Sequence, residues 1–216
     1  MTGIPRVAVC IPSSDFVHAD MMMSLFGMGV ECASVISSAH NRKRDVITAS
    51  RNWLVREALA LDRTTHLLWS DDDHVFPMNG LYHLLRHDKD IVGCFHSGRC
   101  APYPIIGHFG PDQPEFDMKK DGGLRRAAII GGGFVLVKRD VYEKLSPPWY
   151  REDYTESNKD PIRNPDGHVS EDAYFCRTVH DAGFEMWCDL DLSYHMLHIG
   201  TQHVPFGGPN GEGFDV

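Results

Sequence analysis

Short apolar runs alternate with amphipathic segments along most of the chain, and this alternation restricts the possible folds more than any other feature of the sequence. Arg6–Ile11 and Thr65–Ser70 are apolar runs with the length of buried strands. Between them, Ser50–Leu61 repeats apolar residues at helical spacing and predicts an amphipathic helix. Strands that alternate with helices are typical of a mostly parallel sheet. We therefore predict an α/β, Rossmann-like fold with helices on both faces of the sheet.

Three further segments are assigned from their local composition. The β-branched segment Val30–Ser37 predicts a second strand. Ala127–Val137 predicts one strand that is interrupted by three glycines. The polar segment 146–169, with Trp149, Tyr150 and Tyr154, is longer than an ordinary connection and predicts a lid whose aromatic rings stack on a ligand.

The length of 216 residues suits one sizeable core and is short for two independent domains. We predict one domain over 1–206 and a flexible, glycine-rich tail over 207–216. No run of 18 apolar residues occurs, and the apolar run near the N-terminus is too short for a signal peptide. A cytoplasmic protein with reduced cysteines is the resulting expectation.

Charge and cysteine spacing argue against two function classes. The formal net charge of −9 argues against a protein that binds nucleic acid mainly through its phosphates. The six cysteines include no CxxC pair, which argues against a zinc-ribbon type of site. Cys94, His96 and Cys100 remain an alternative set of soft metal ligands, although no second pair follows at zinc-site spacing.

The strongest chemical signal is an acidic triplet, WSDDDHVFP at 69–77, that directly follows an apolar strand. Residues two apart in an extended chain point the same way, so Asp71 and Asp73 are predicted to face one point. Carboxylate oxygens with diphosphate oxygens suit Mg²⁺ or Mn²⁺. The alternative explanation is a solvated turn whose aspartates cap the next helix.

A second acidic pair, Glu171 and Asp172, opens a predicted helix after Ser170, which is a typical N-cap residue. The positive end of the helix dipole favours anions there, so simple capping is one explanation. A general base is the other, and it requires that nearby burial raise the pKa of the carboxyl group. Phe175, Val179 and Ala182 are predicted to form the buried face of this helix.

Together, these stretches resemble the nucleotide-sugar-dependent glycosyltransferases of the GT-A fold, close to the inverting family 2. The resemblance covers about residues 6–200 and is carried by VAVCIPSSD, ASRNWLVREAL, LLWSDDDHVFP, and GGGFVLVKRDVYEKL with the following SEDAYFCRTVHDAGFEMWCDLDLSYHMLHIG. It implies a GT-A-like fold and an enzyme that uses Mn²⁺ or Mg²⁺. The chain lacks the QxxRW segment of processive synthases, which favours transfer of a single sugar.

The resemblance also implies roles for individual residues. Asp73 would ligate the metal, and Asp71 would share it or bind the ribose of the donor. His198 matches a third metal ligand, with His195 as the alternative. Asp172, paired with Glu171, would be the catalytic base. Further donor-binding candidates near the ends of the strands are Pro12, Ser13, Ser14, Arg51, Asn52, Asp72, Arg99, Gly132 and Gly133.

Two other function classes stay open from the sequence. A nucleotidyltransferase would use the same paired aspartates, but it normally needs a glycine-rich basic loop after the first strand, which IPSSDF does not supply. A non-catalytic carbohydrate-binding protein would not need the late Glu-Asp pair. For the transferase, the expected donor is a UDP- or GDP-sugar. The acceptor is a hydroxyl group on a glycan, a small molecule or a modified nucleobase, including modified DNA.

Overall fold

A nine-stranded sheet forms the centre of the computed structural model, which describes residues 4–13, 16–42, 46–110, 121–159, 165–200 and 203–206. Ser14 and the expected tail over 207–216 lie outside these residues. The strands, in chain order, are β1 (Val7–Pro12), β2 (Ile36–Arg42), β3 (His66–Ser70), β4 (His74–Val75), β5 (Ile91–Gly93), β6 (His96–Ser97), β7 (Ile105–Phe109), β8 (Leu124–Ile130), β9 (Phe134–Lys138), β10 (Asp153–Tyr154), β11 (His168–Val169), β12 (Met186–Asp189), β13 (Leu197–Ile199) and β14 (His203–Pro205).

The order of strands in the central sheet is β2-β1-β3-β9-β5-β12-β8-β7-β6. By their pairing, six of these strands run in one direction, and β9, β8 and β6 run against them. The predicted α/β class with a mostly parallel sheet is therefore confirmed. Small sheets β14-β13-β4 and β10-β11 lie beside it.

Helices cover both faces of the central sheet, as predicted. They are α1 (Ala19–Glu31), α2 (Ile47–Ala60), α3 (Gly80–Leu85), α4 (Arg139–Lys144), α5 (Glu171–Asp181) and α6 (Leu190–Ser193). Every residue of β1 is buried, because alternate side chains enter two different cores. Ala8 and Cys10 pack with α2, α4 and α5, whereas Val7 and Val9 pack with α1 and α3. Within the described residues, none of the helices is long and apolar enough to cross a membrane.

Two predicted strands differ from the structure. Residues 127–137 are not one strand: β8 pairs with β7 and β12, whereas β9 lies between β3 and β5, and glycines 131–133 connect the two. The expected strand Val30–Ser37 is also wrong at its start, because α1 continues to Glu31 and β2 begins at Ile36. The helix buries Met21 and Met28 while leaving Val30 exposed, so helical packing outweighs the β-branched composition.

The segment after α4 differs from the expected lid. Trp149 and Tyr150 are buried, with 6% and 3% of their surface exposed. The side-chain amide of Asn52 holds them in place: it accepts a hydrogen bond from the Trp149 backbone N–H (2.9 Å) and donates one to the Tyr150 carbonyl (2.6 Å). These two rings therefore belong to the core. At the end of α5, Ala182 is exposed rather than buried, because the helix ends at Asp181.

Candidate functional site

A cleft of about 390 Å³ opens where β1 and β3 end. Most of the residues that the sequence singled out line it, together with His96 from the alternative soft-ligand set and three additional residues, Ile47, Ser50 and His74. The predicted residues at the cleft are Pro12, Ser13, Arg51, Asp71, Asp72, Asp73, Arg99, Glu171, Asp172 and His198.

One part of the cleft is an ionic group that we call the arginine cluster, formed by Arg51, Asp71, Glu171 and Asp172. Arg51 Nη2 lies 3.0 Å from Asp71 Oδ1 and 3.5 Å from Asp172 Oδ1, and Arg51 Nε lies 3.3 Å from Glu171 Oε1. The guanidinium is 2% exposed. A single buried cation thus faces three carboxyl groups, and the cluster carries surplus negative charge.

Helix periodicity explains why an arginine occupies this position. Leu54, Val55 and Ala58 form the buried stripe of α2, and Arg51 extends that stripe one turn toward the helix N-terminus. At that point the strands have ended, so the inward side chain meets carboxylates instead of apolar residues. Its Cζ atom also lies 5.3 Å from the ring centroid of Trp69, within the range of a cation–π contact.

Asp172 is held by the backbone as well as by Arg51. Its Oδ2 accepts a hydrogen bond of 2.9 Å from the Gly132 N–H, and Ser170 caps the helix that carries it. Burial raises the pKa of Asp172 to about 6, against the lowering effect of Arg51, and the charge of Glu171 adds to the rise. The burial that a general base at a helix N-terminus requires is therefore present.

The same carboxyl groups affect the arginine. Burial disfavours the charged form of Arg51, but Asp172 first and then Asp71 outweigh it and raise the pKa of the guanidinium above its ordinary value. Arg51 therefore stays charged. Because its charge is already opposed by three carboxyl groups, it is poorly placed for the phosphate-binding role that the sequence suggested.

The other part of the cleft, which we call the histidine cluster, contains Asp73, His74, His96 and His198. Asp73 Oδ1 lies 3.1 Å from His74 Nδ1, and Asp73 Oδ2 lies 3.3 Å from His198 Nε2. The three imidazoles offer ligand atoms that all lie within 4.8 Å of one another. The exposed rim of this cluster is Arg99, whose Nη1 lies 2.9 Å from Asp73 Oδ2 while 58% of its side chain is exposed.

Hydrogen bonding fixes the orientation of His198. Its Nδ1 lies 2.6 Å from the Ser97 carbonyl oxygen and donates to it, since a carbonyl can only accept. In the neutral ring, Nε2 is therefore an acceptor, and it faces the carboxylate of Asp73, which is also an acceptor. This contact is favourable only if a proton or another cation lies between the two atoms, so Asp73 and His198 together fit a bound divalent cation.

His74 and His96 are buried without full hydrogen bonding. His74 is 1% exposed; its Nδ1 faces Asp73 Oδ1 at 3.1 Å, whereas its Nε2 has no hydrogen-bond partner among the described residues. His96 is 5% exposed, and its Nδ1 also lacks one within the described chain. An unsatisfied buried polar atom costs about 1–3 kcal/mol, so this arrangement needs an explanation.

The pKa values follow from these contacts. Burial alone would raise the pKa of Asp73, but His198 and His74 outweigh it and hold that pKa well below its usual range. Burial, assisted by the two neighbouring histidines, keeps the pKa of His96 well below that of an ordinary imidazole. Its ring is therefore neutral at pH 7 and retains a lone pair.

Gly132 and Gly133, which we call the glycine wall, lie against both clusters. A Cβ on Gly132 would lie 2.3 Å from Arg51 Nη2, and one on Gly133 would lie 2.6 Å from His74 Nε2. The Asp71 N–H also donates to the Gly133 carbonyl (3.2 Å). These glycines permit close approach of protein side chains. The sequence had assigned Gly132 and Gly133 to donor binding, and neither is among the residues that line the cleft.

Several other candidates lie elsewhere. Asn52 faces Trp149 and Tyr150 and does not line the cleft. Of the two histidines that the resemblance offered as the third metal ligand, His195 is exposed and His198 lines the cleft. Cys94 is buried in an apolar core and Cys100 is exposed, so the alternative soft-ligand set does not come together.

No family model matches the sequence, and no curated protein matches it. Among solved structures, the chain is similar to A197 from STIV, with a TM-score of 0.59 and 16% identity over 90% of this chain and 85% of that one. GalNAc-T7 with UDP, GalNAc and Mn²⁺ gives a TM-score of 0.48 and 10% identity over 88% of this chain and 43% of that one. The inositol-1-phosphate CTP transferase from T. maritima gives 0.44 and 11% over 88% and 91%. The first similarity concerns the fold alone, and the other two are too weak to support a conclusion about this chain.

Proposed function

We propose that this protein is a metal-dependent glycosyltransferase that moves one sugar from a nucleoside-diphosphate sugar to a hydroxyl acceptor. The observation that carries the proposal is that one cleft contains both a carboxyl group of raised pKa, Asp172, and a cation-binding pair, Asp73 with His198. Glycosyl transfer uses a base for the acceptor and a cation for the departing diphosphate. The sequence resemblance supports the same assignment.

Asp172 acts as the general base. It takes the proton of the acceptor hydroxyl, and that oxygen attacks the anomeric carbon of the donor while the nucleoside diphosphate leaves. The contacts with Arg51 (3.5 Å) and the Gly132 N–H (2.9 Å) fix the orientation of the carboxylate. A base works best when its pKa lies near the working pH, and a value of about 6 meets that condition.

Asp73 and His198 hold the divalent cation, for which the resemblance suggests Mn²⁺ or Mg²⁺. When bound, the cation neutralises the negative charge of the leaving diphosphate. Asp71 is engaged by Arg51 and has different partners from Asp73, so its role is to bind the ribose or sugar of the donor. Pro12 and Ser13 line the cleft at the end of β1, where the nucleoside is expected.

The test is an assay of the protein with a panel of UDP- and GDP-sugars, with and without divalent metal. We expect release of the nucleoside diphosphate from at least one donor, and we expect a chelator to abolish it. The competing activity is assayed in parallel with nucleoside triphosphates and a sugar phosphate. Release of pyrophosphate there, with no reaction of any nucleotide sugar, would overturn the proposal in favour of a nucleotidyltransferase.

Asp172→Asn tests the base once a donor has been found. The substitution keeps the size of the side chain but removes the proton acceptor, so transfer should fall by about 10²-fold or more while donor affinity stays the same. Asp140→Asn is the control, since Asp140 is an exposed aspartate in the first turn of α4. If Asp172→Asn weakens donor binding and leaves the rate at saturation intact, Asp172 is not the base.

A further inference from the structure

The histidine cluster contains more nitrogen ligands than the proposed function requires. A cation that assists a departing diphosphate needs few protein ligands, and oxygen ligands are sufficient. Here three imidazoles converge, from β4, β6 and β13, and their ligand atoms lie within 4.8 Å of one another. The pairing of His198 with His74 across β13 and β4 sets two of these rings side by side, with centroids 4.2 Å apart.

Two rings of the cluster have a buried nitrogen without a hydrogen-bond partner among the described residues. These are Nε2 of His74, which is 1% exposed, and Nδ1 of His96, which is 5% exposed. For His198, the bond from Nδ1 to the Ser97 carbonyl leaves Nε2 as the ligand atom, and it faces Asp73 Oδ2 at 3.3 Å. A carbonyl that accepts from the distal nitrogen is the usual support of a metal-binding histidine, because it fixes both the tautomer and the ring plane.

We propose that His74, His96, His198 and Asp73 bind a first-row transition-metal ion, with Zn²⁺ and Co²⁺ as the best-fitting examples, in preference to Mg²⁺. Imidazole suits these ions, whereas Mg²⁺ selects oxygen ligands in a strict octahedron and keeps its waters. Three nitrogens and one carboxylate oxygen complete a tetrahedral set. The inference extends the proposed function, in which only Asp73 and His198 were assigned to the cation.

The geometry requires only small movements of side chains. With metal–nitrogen bonds of 2.0–2.1 Å, nitrogens in a tetrahedral set lie about 3.4 Å apart. The three nitrogens are already within 4.8 Å of one another, so each pair closes by at most about 1.4 Å. Arg99 Nη1 contacts Asp73 Oδ2, and its side chain is more than half exposed, so it can turn away into solvent.

The competing explanation is an ion pair without metal, in which protonated His198 donates to Asp73. That explanation accounts for His198, and a proton on His74 Nδ1 would account for its contact with Asp73 Oδ1, but His74 Nε2 and His96 Nδ1 remain buried and unpartnered among the described residues. The ion pairs of Asp73 within the histidine cluster involve His74 and His198, so the two explanations differ most clearly at His96, which is needed only if a metal is bound.

The experiment uses the full chain after treatment with a chelator. Co²⁺ is added and its visible absorption is recorded, and the affinities for Zn²⁺ and Mg²⁺ are measured by calorimetry. We expect the intense absorption bands of four-coordinate Co²⁺ and an affinity for Zn²⁺ at least about 100-fold higher than for Mg²⁺. The weak spectrum of six-coordinate Co²⁺, or equal affinities for the two ions, would overturn the proposal.

His96→Gln and His74→Gln test the individual ligands, and the exposed His195→Gln is the control for a surface histidine. Each cluster variant should lower the affinity for Zn²⁺ by about 10-fold or more and change the Co²⁺ spectrum, and the control should do neither. Circular dichroism identifies a variant that fails to fold. If His74→Gln fails to fold, the metal affinity and Co²⁺ spectrum of His96→Gln decide the outcome. Unchanged Co²⁺ spectra in both variants would restrict the site to Asp73 and His198.

This experiment is separate from the test of the proposed function. A protein that binds Zn²⁺ through three histidines but hydrolyses no nucleotide sugar would keep the metal site and lose the glycosyltransferase assignment. If the His96→Gln variant transfers sugar with Mg²⁺ as well as the wild-type protein does, the proposed function is kept and the three-histidine site is lost.

Discussion

The two clusters of the cleft are built from similar numbers of ionisable groups, but they satisfy them differently. In the arginine cluster, each of the three carboxyl groups contacts the same guanidinium. In the histidine cluster, two acceptors face each other between Asp73 and His198, and ring nitrogens of His74 and His96 have no hydrogen-bond partner within the described chain. The carboxyl groups of the first cluster are held by one internal cation, whereas the second leaves two buried imidazole nitrogens that a bound cation would satisfy.

This difference determines which measurement reports on each cluster. Damage to the arginine cluster should appear as lost stability of the folded protein, with or without metal. Removal of a histidine ligand should appear mainly as lost metal affinity, with a smaller effect on the stability of the metal-free protein. The clusters share the glycine wall, so substitutions there can address one cluster at a time.

The largest effect is expected for Arg51→Met. The substitution leaves Asp71, Glu171 and Asp172 close together without their cation, and breaking a buried ion pair from one side costs about 3–5 kcal/mol. Denaturant unfolding with a chelator present measures the change. Arg56→Met is the control, because Arg56 is an exposed arginine on the same helix. A loss below about 1 kcal/mol would mean that Arg51 does not organise the cluster.

A smaller effect is expected from Gly132→Ala and Gly133→Ala, which separate the clusters. Each added methyl group collides with one buried side chain, Arg51 or His74 respectively, and such overpacking costs about 1–3 kcal/mol. Only Gly133→Ala should also weaken binding of Zn²⁺. In the control Gly29→Ala, the new Cβ meets nothing within 4 Å on a helix, so stability should rise by about 0.5–1 kcal/mol. Equal Zn²⁺ affinities for the two wall variants would show that the clusters are not independent.

The smallest effect per unit change in conditions is a pH dependence of opposite sign in the two clusters. Asp172 has a raised pKa when folded, about 6 against 3.8, so the folded state holds the proton more tightly and stability falls as pH rises through this interval. The slope is at most about 1.4 kcal/mol per pH unit. Asp73 has a lowered pKa, so its contribution is present above about pH 4 and is lost as pH falls further.

Metal-free unfolding between pH 3 and pH 7 measures both contributions. Asp172→Asn should remove the decline of stability between about pH 4 and 6, and Asp73→Asn should reduce the loss at lower pH. Curves of the same shape for the wild type and Asp172→Asn would mean that the pKa of Asp172 is not raised in the folded protein.

The sequence predicted the fold well where periodicity is local. The buried strands β1 and β3, helix α2 and the capped start of α5 follow from runs of a few residues, and each lies close to its predicted position. Trp149 and Tyr150 were placed in a lid because their neighbours are polar. Only a distant side chain, Asn52, shows why they are buried.

The clusters could be predicted only in part, for a physical reason. The alternation rule placed Asp71 and Asp73 together, but β3 ends at Ser70, so the rule for extended chains no longer applies and the two carboxylates find different partners. The burial of Arg51 could have been predicted, since it lies four residues before Val55 in a helical stripe. His74 and His96 carry no local signal as a pair, because only tertiary structure brings them to His198.

The position of β9 also has a consequence for the order in which the chain folds. β9 lies between β3 and β5, yet it follows both of them in sequence, and Ser70 pairs with Phe134. Strands β3 and β5 therefore leave the ribosome before the strand that must separate them, and closing so long a loop is slow. Until β9 inserts, the glycine wall is missing and neither cluster can assemble. The moment at which the refolding protein becomes able to bind metal would therefore report when β9 inserts into the central sheet.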